Sequence, residues 1–275
     1  MTPALRLCLC LSLLGGAGCA ADPDDPTAVE EQPAGPGGKA DGAGDLDGWS
    51  TFATGIAQKS TGAGDGVFIA YGGYGATTVH VEAWVEALAA ARLDEIGLGH
   101  LYAVKGPRDA GYDARELPNS KLTARLLAEH AGSRVVVVAH SSGTYVAHEL
   151  LAQLAARDEA ALRNVSYFDL DGGDAGLPAD TIAALATMRF VYASDPEVGL
   201  SRNGGLMQAD GERFAPQGAA AIAIDGSAAG CATRDCLHDV LITSRPHEPS
   251  RFNVALDYTD FEGRPVTAAY LDDLQ

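Results

Sequence analysis

Arg134-Val135-Val136-Val137-Val138-Ala139-His140-Ser141-Ser142-Gly143-Thr144 is the stretch on which the fold turns. Four valines in a row form a fully buried strand, since β-branched side chains suit a pleated surface covered on both sides. The run stops at a serine pair followed by glycine, and helical spacing begins at once, from Tyr145 through Leu154. A strand that becomes a helix this abruptly brings the two backbones almost into contact. The residues two before and two after the turning point must therefore be small. Around Ser141 they are Ala139 and Gly143, which fit; around Ser142 they are His140 and Thr144, which do not. Ser141 is thus the residue held at the turn, in the manner of a nucleophile elbow, A-H-S-S-G here against the usual G-x-S-x-G.

Working outward, strands alternate with helices. Gly66-Val67-Phe68-Ile69-Ala70-Tyr71 reads as a buried strand and runs into Gly72-Gly73-Tyr74-Gly75. Residues 79–93 have helical spacing, with Val81, Trp84, Val85 and Leu88 on one stripe. Further strands are predicted over 99–104, 165–170, 188–193 and 219–224. Helices are predicted over 121–131, 144–162 and 180–186, with another starting near His238. This alternation implies an α/β fold with a mostly parallel sheet covered on both faces. Only a short segment between Trp49 and Gly66 precedes the first clear strand, so the N-terminal strands are expected to be reduced or largely missing. No inserted segment is long enough for a large cap domain. Residues 196–216 read as a long polar loop beside the mouth of the site, and 252–271 as a hairpin closing one edge.

The whole chain has 275 residues, 47% hydrophobic and 20% charged, with a net charge of −18. Such acidity excludes nucleic acid as a partner, because binding it requires Lys and Arg to neutralise phosphates. The N-terminus carries an export signal: Arg6, then a short apolar run over 7–14. Gly16-Ala17-Gly18-Cys19 resembles a bacterial lipoprotein cleavage box, which would make Cys19 a lipidated first residue in the cell envelope. Ordinary signal-peptidase cleavage near Ala20 or Ala21, giving a secreted protein, is the alternative. Residues 20–48 carry eight Asp/Glu against Lys39 alone and are rich in Pro and Gly, the composition of a disordered tether. The expected organisation is therefore a signal over 1–18, a tether over 19–48 and one domain over 49–275. Of the five cysteines, Cys8 and Cys10 leave with the signal. Cys231 and Cys236 remain as a pair for a short disulfide in an oxidising compartment, which leaves no metal-ligating cysteine.

At the elbow the chain resembles the α/β-hydrolase superfamily, on its lipase and esterase side, over about residues 66–250. The resemblance implies a serine hydrolase acting on carboxylic or lipid esters through an acyl-enzyme, without metal or organic cofactor, in the chain order nucleophile, acid, histidine. It implies His238 as the base among seven histidines. His80, His100 and His130 precede Ser141, His140 lies in the elbow, His148 lies on the next helix, and His247 reads as surface loop. Asp195, at the end of the 188–193 strand, is the implied acid, with Asp171, one strand earlier, as the alternative. The backbone N–H of Ser142, and that of Gly73 or Tyr74, would form the oxyanion hole. A monomer, touching the membrane only through a lipid anchor, is expected. An acyltransferase, a thioesterase or an inactive surface-tethered binding protein on the same scaffold are the rival readings.

Overall fold

The computed structural model describes residues 48–89, 93, 95–107, 119–173, 176–227, 230–242 and 266–274. The expected export signal, Cys19, all but Gly48 of the expected tether, His247 and most of the expected 252–271 hairpin lie outside them. Of that last segment, Val266–Leu274 is a 3-10 helix rather than a strand.

Nine strands form one sheet among the described residues. Strands β1 (Ser50–Ala53) and β2 (Ile56–Ser60) make an antiparallel pair at one edge. The N-terminal strand pair is thus present in shortened form rather than largely missing. Its outer strand is mostly solvent-facing, so it lacks the apolar run that marks a buried strand. Next come β4 (Leu98–Val104), β3 (Gly66–Tyr71), β5 (Val135–His140), β6 (Val165–Leu170) and β7 (Thr187–Asp195). Strand β2 meets β4 antiparallel, and the pairings from β4 through β7 are parallel. Strand β7 then pairs parallel with β9 (Ala219–Asp225), while β8 (Gly199–Leu200) folds back antiparallel on its end. The helices α1 (Thr78–Leu88), α2 (Asn119–Glu129), α3 (Gly143–Asp158), α4 (Ala179–Ala184), α5 (Gly204–Arg213) and α6 (Arg234–Asp239) connect or follow the strands. This is the α/β-hydrolase fold.

The strands' period of two divides the core. Phe68, Ala70, Val136, Val138, Phe168 and Leu170 face one side, with Trp84, Val85 and Leu88 of α1 and Leu237 of α6. Val67, Ile69, Tyr71, Val135, Val137 and Tyr167 face the other, with Leu122 of α2 and Val146, Leu150 and Leu154 of α3. Both faces of β3, β5 and β6 are buried throughout, which is why those strands read as continuous apolar runs. Parallel strands leave all their C-terminal tips on one edge of the sheet, and that edge carries Ser141 and Asp171.

Candidate active site

Ser141 has φ of +54°, in the left-handed region that a non-glycine residue seldom adopts. The register holds it there: its N–H donates to the Leu170 carbonyl at 3.0 Å. Its own carbonyl accepts from the Thr144 N–H at 3.1 Å and the Thr144 hydroxyl at 2.8 Å, which starts α3. Gly143 is required by the close approach, since a Cβ there would lie 2.4 Å from the Gly72 carbonyl oxygen. Gly73 lies against Ser141 in turn: a Cβ built on it would be 3.1 Å from the Cβ of Ser141. Strain of this kind persists only where the surroundings over-determine it, and it concentrates at functional sites.

The structure brings His238 together with Asp171. Nδ1 of His238 lies 2.6 Å from Oδ2 of Asp171, and both residues are buried. Asp171 follows β6 with φ of +46°, its N–H donating to the Val191 carbonyl at 2.7 Å. The carboxylate is further held by the Ser201 hydroxyl at 2.8 Å and by the Asn203 N–H at 3.2 and 3.1 Å. The Asn203 side-chain amide also donates to the Asp171 backbone carbonyl at 2.8 Å. Asp195 makes different contacts. Its Oδ1 accepts the N–H groups of Glu197 and Val198 at 2.7 and 2.9 Å, closing the turn between β7 and β8. The geometry thus replaces Asp195 with Asp171 as the carboxylate facing the imidazole.

Helix α6 presents His238 and is anchored at several points. Thr233 caps it through the Cys236 N–H at 3.1 Å, and Cys231 is disulfide-bonded to Cys236. The Arg234 guanidinium donates to the carbonyls of Leu200, Ser201 and Arg202 at 3.0, 3.2 and 3.2 Å. The loop that orients Asp171 and the helix that carries His238 are therefore tied directly together. His140, next to Ser141, reaches the same helix. Its Nε2 donates to the His238 backbone carbonyl at 3.0 Å, and the two rings sit 4.4 Å apart between centroids. Among the described residues the half-buried Ser141 hydroxyl does not hydrogen-bond His238. Hydroxyl–imidazole bonds of this type are often long before substrate binds.

No protein-family model matches the sequence, and no curated protein matches it. Among solved structures, TT1662 from Thermus thermophilus is similar at a TM-score of 0.42 and 16% identity, covering 65% of this chain and 85% of that one. A CIB-like hydrolase from Thermoplasma acidophilum is similar at 0.39 and 13%, covering 66% of this chain and 83% of its own.

The loop after β3 supplies backbone donors. The N–H groups of Gly72, Gly75 and Ala76 are engaged by the carbonyls of Val104, Pro107 and Gly73. Among the described residues no acceptor meets the N–H of Gly73, Tyr74 or Ser142. Tyr71 belongs to the core, its hydroxyl donating to Asn119 at 3.0 Å. Beneath the elbow lie two further buried groups. Burial holds the His148 imidazole down to about 4. Burial also pushes the Asp169 carboxyl well above its ordinary range, helped by the nearby Asp171 and Asp210 charges and opposed by the Gly172 N–H. Burial thus disfavours the charged form of both groups across their 4.0 Å approach.

Sequence reasoning missed Ser201 and Asn203, which hydrogen-bond Asp171, and it read α5 as loop. Asn203-Gly204-Gly205 opens α5 with two poor helix formers, so the pattern suggests a turn. The missed signal was the polar Ser201-Arg202-Asn203 group directly before a helix start.

Proposed function

We propose that this protein is a serine hydrolase of carboxylic esters, with Ser141 as nucleophile, His238 as base and Asp171 as the acid. The observation that carries the reading is the strained serine at the tip of β5, one strand away from a buried carboxylate 2.6 Å from an imidazole nitrogen. In this reading Asp171 accepts the Nδ1–H of His238, so Nε2 bears the lone pair. That nitrogen takes the Ser141 proton as Oγ attacks the ester carbonyl. The N–H of Ser142, with that of Gly73 or Tyr74, receives the oxyanion. His238 then passes its proton to the departing alcohol, leaving an acyl-enzyme on Ser141. Water, deprotonated by His238, attacks the acyl carbon, and the carboxylic acid departs as Ser141 regains its proton. An alcohol in place of water would make the same machinery an acyltransferase, and a thioester substrate a thioesterase. Export and anchoring through Cys19 belong to the same proposal, and would place the activity at the cell envelope.

The deciding experiment exposes the full chain to a fluorophosphonate and reads intact mass, with Ser141→Ala in parallel. One adduct on the wild type and none on the variant is expected. Folded wild-type protein that takes no adduct would overturn the reading in favour of a binding protein.

A further inference from the structure

Ser141 and Asp171 are the two non-glycine residues with positive φ among those described, and they follow neighbouring strands. The register sets them side by side: Ala139 pairs with Asp169 and His140 with Leu170, so β5 and β6 end together. Each strained turn needs surroundings that hold it. At Ser141 that restraint includes Thr144, whose N–H and hydroxyl both meet the Ser141 carbonyl. At Asp171 it includes Asp169, two residues earlier, whose Oδ1 accepts the Gly172 N–H at 3.0 Å. Asp169 is fully buried, an unusual place for an acid that closes a turn. The strand's period of two puts it on the same face of β6 as Tyr167, toward α3, where His148 lies 4.0 Å from its Oδ2. Gly172 joins the two restraints. A Cβ built on it would overlap both Asp169 Oδ1 and Thr144 Cγ2. The bare Cα of Gly172 therefore packs between the residue that holds Ser141 and the residue that holds the turn of Asp171.

We propose that Asp169 is a positioning residue for the site: its Oδ1 locks the turn at Asp171 and Gly172 against Thr144, so that Ser141 and Asp171 are held as one unit. Asp169 acts through the Gly172 N–H, which fixes how the Asp171 carboxylate leaves the strand and hence its line to Nδ1 of His238. The role requires an acceptor at Oδ1 and no charge, since burial already favours the neutral carboxyl. An amide oxygen can fill that place and a methyl group cannot. The consequence for turnover rests on the hydrolase reading, because misplacing Asp171 costs rate only if the chemistry runs through His238 and Ser141. The consequence for the contact between His238 and Asp171 does not depend on that reading.

The test compares Asp169→Ala, Asp169→Asn and Gly172→Ala in the full chain. In an ester assay Asp169→Ala should lower kcat by about tenfold to a hundredfold with KM changed less than about threefold, and Asp169→Asn should restore kcat to within about threefold of wild type. Gly172→Ala should lose as much as Asp169→Ala, and the double variant no more than either, since both break one contact. Without substrate, the proton resonance of the His238 Nδ1–H should move in Asp169→Ala and return to its wild-type position in Asp169→Asn. An unmoved resonance in Asp169→Ala, equal losses of kcat in the Ala and Asn variants, or additive losses in the double variant would overturn the inference. Should Asp169→Ala fail to fold, a moved resonance and lost kcat in folded Asp169→Asn would overturn it as well. Because the resonance is read without turnover, these shifts in a chain that hydrolyses no ester would sink the function alone. Hydrolysis with an unmoved resonance would sink this inference alone.

Discussion

Asp171 and Asp195 both end strands of the sheet, and the donors they meet separate them. Asp195 accepts two backbone N–H groups of its own turn, whereas Asp171 accepts an imidazole from α6 and a hydroxyl and a backbone N–H from the 201–203 loop. Replacing Asp171 by Asn keeps the shape but favours the wrong tautomer of His238. Asp171→Asn should therefore lower kcat for a soluble aryl ester by about 10³–10⁴-fold, while Asp195→Asn changes it less than about threefold. A larger loss in Asp195→Asn than in Asp171→Asn would give the acid's role to Asp195 instead. Ser201 is a positioning residue by the same geometry. Ser201→Ala removes one hydrogen bond to a charged carboxylate, worth about 1.5–3 kcal/mol, and should cut kcat by about tenfold to a hundredfold with little change in KM. A KM effect without a kcat effect would count against it. The strained turn at Ser141 was legible in the sequence because its constraint is local: Ala139 and Gly143 flank it within two positions. The carboxylate that faces His238 was not, because strand ends at 171 and 195 look alike until pairing fixes which tip lies near α6.

Among the elements, α6 is short, and a helix of that length has no stability of its own. It is held by the Thr233 cap, the Arg234 clamp and the disulfide five residues apart. So small a loop constrains the unfolded chain modestly, by about 2 kcal/mol on the chain-entropy account. Replacing both cysteines by serine should accordingly lower Tm by only about 4–8 °C. The local consequence is larger: amide exchange of α6 should rise well above that of α3, and kcat should fall before the protein unfolds. Uniform loss of protection across α3 and α6 would show that the disulfide acts globally instead. The elements buried on both faces, β3, β5 and β6, were legible because their apolar runs are continuous. The β1–β2 pair and α5 were not, since one is half-exposed and short and the other begins with two glycines.

For the whole molecule, the buried pair under the elbow sets part of the acid stability. His148 has its affinity for a proton lowered on folding, from 6.5 to about 4, so the unfolded chain binds the proton more tightly. Its contribution is complete above pH 6.5 and is lost as pH falls toward 4, by about 3 kcal/mol in total. Asp169 has the opposite sign. Its folded carboxyl is raised, so the folded state binds the proton more tightly, and stability falls as pH rises from 3.8 toward the folded value. Above about pH 4 the two trends oppose each other, which flattens the wild-type profile. His148→Gln removes one of them. Its packing loss against Tyr167, whose ring lies 5.7 Å away, is independent of pH and cancels when two pH values are compared. The stability of His148→Gln relative to wild type, from urea denaturation, should therefore rise by about 3 kcal/mol between pH 7 and pH 4. Asp169→Asn should gain on the wild type in the other direction, as pH rises. A His148→Gln difference that is the same at both pH values would show that folding leaves the imidazole's proton affinity unchanged, and one that falls toward pH 4 would make the 4.0 Å contact with Asp169 an ion pair.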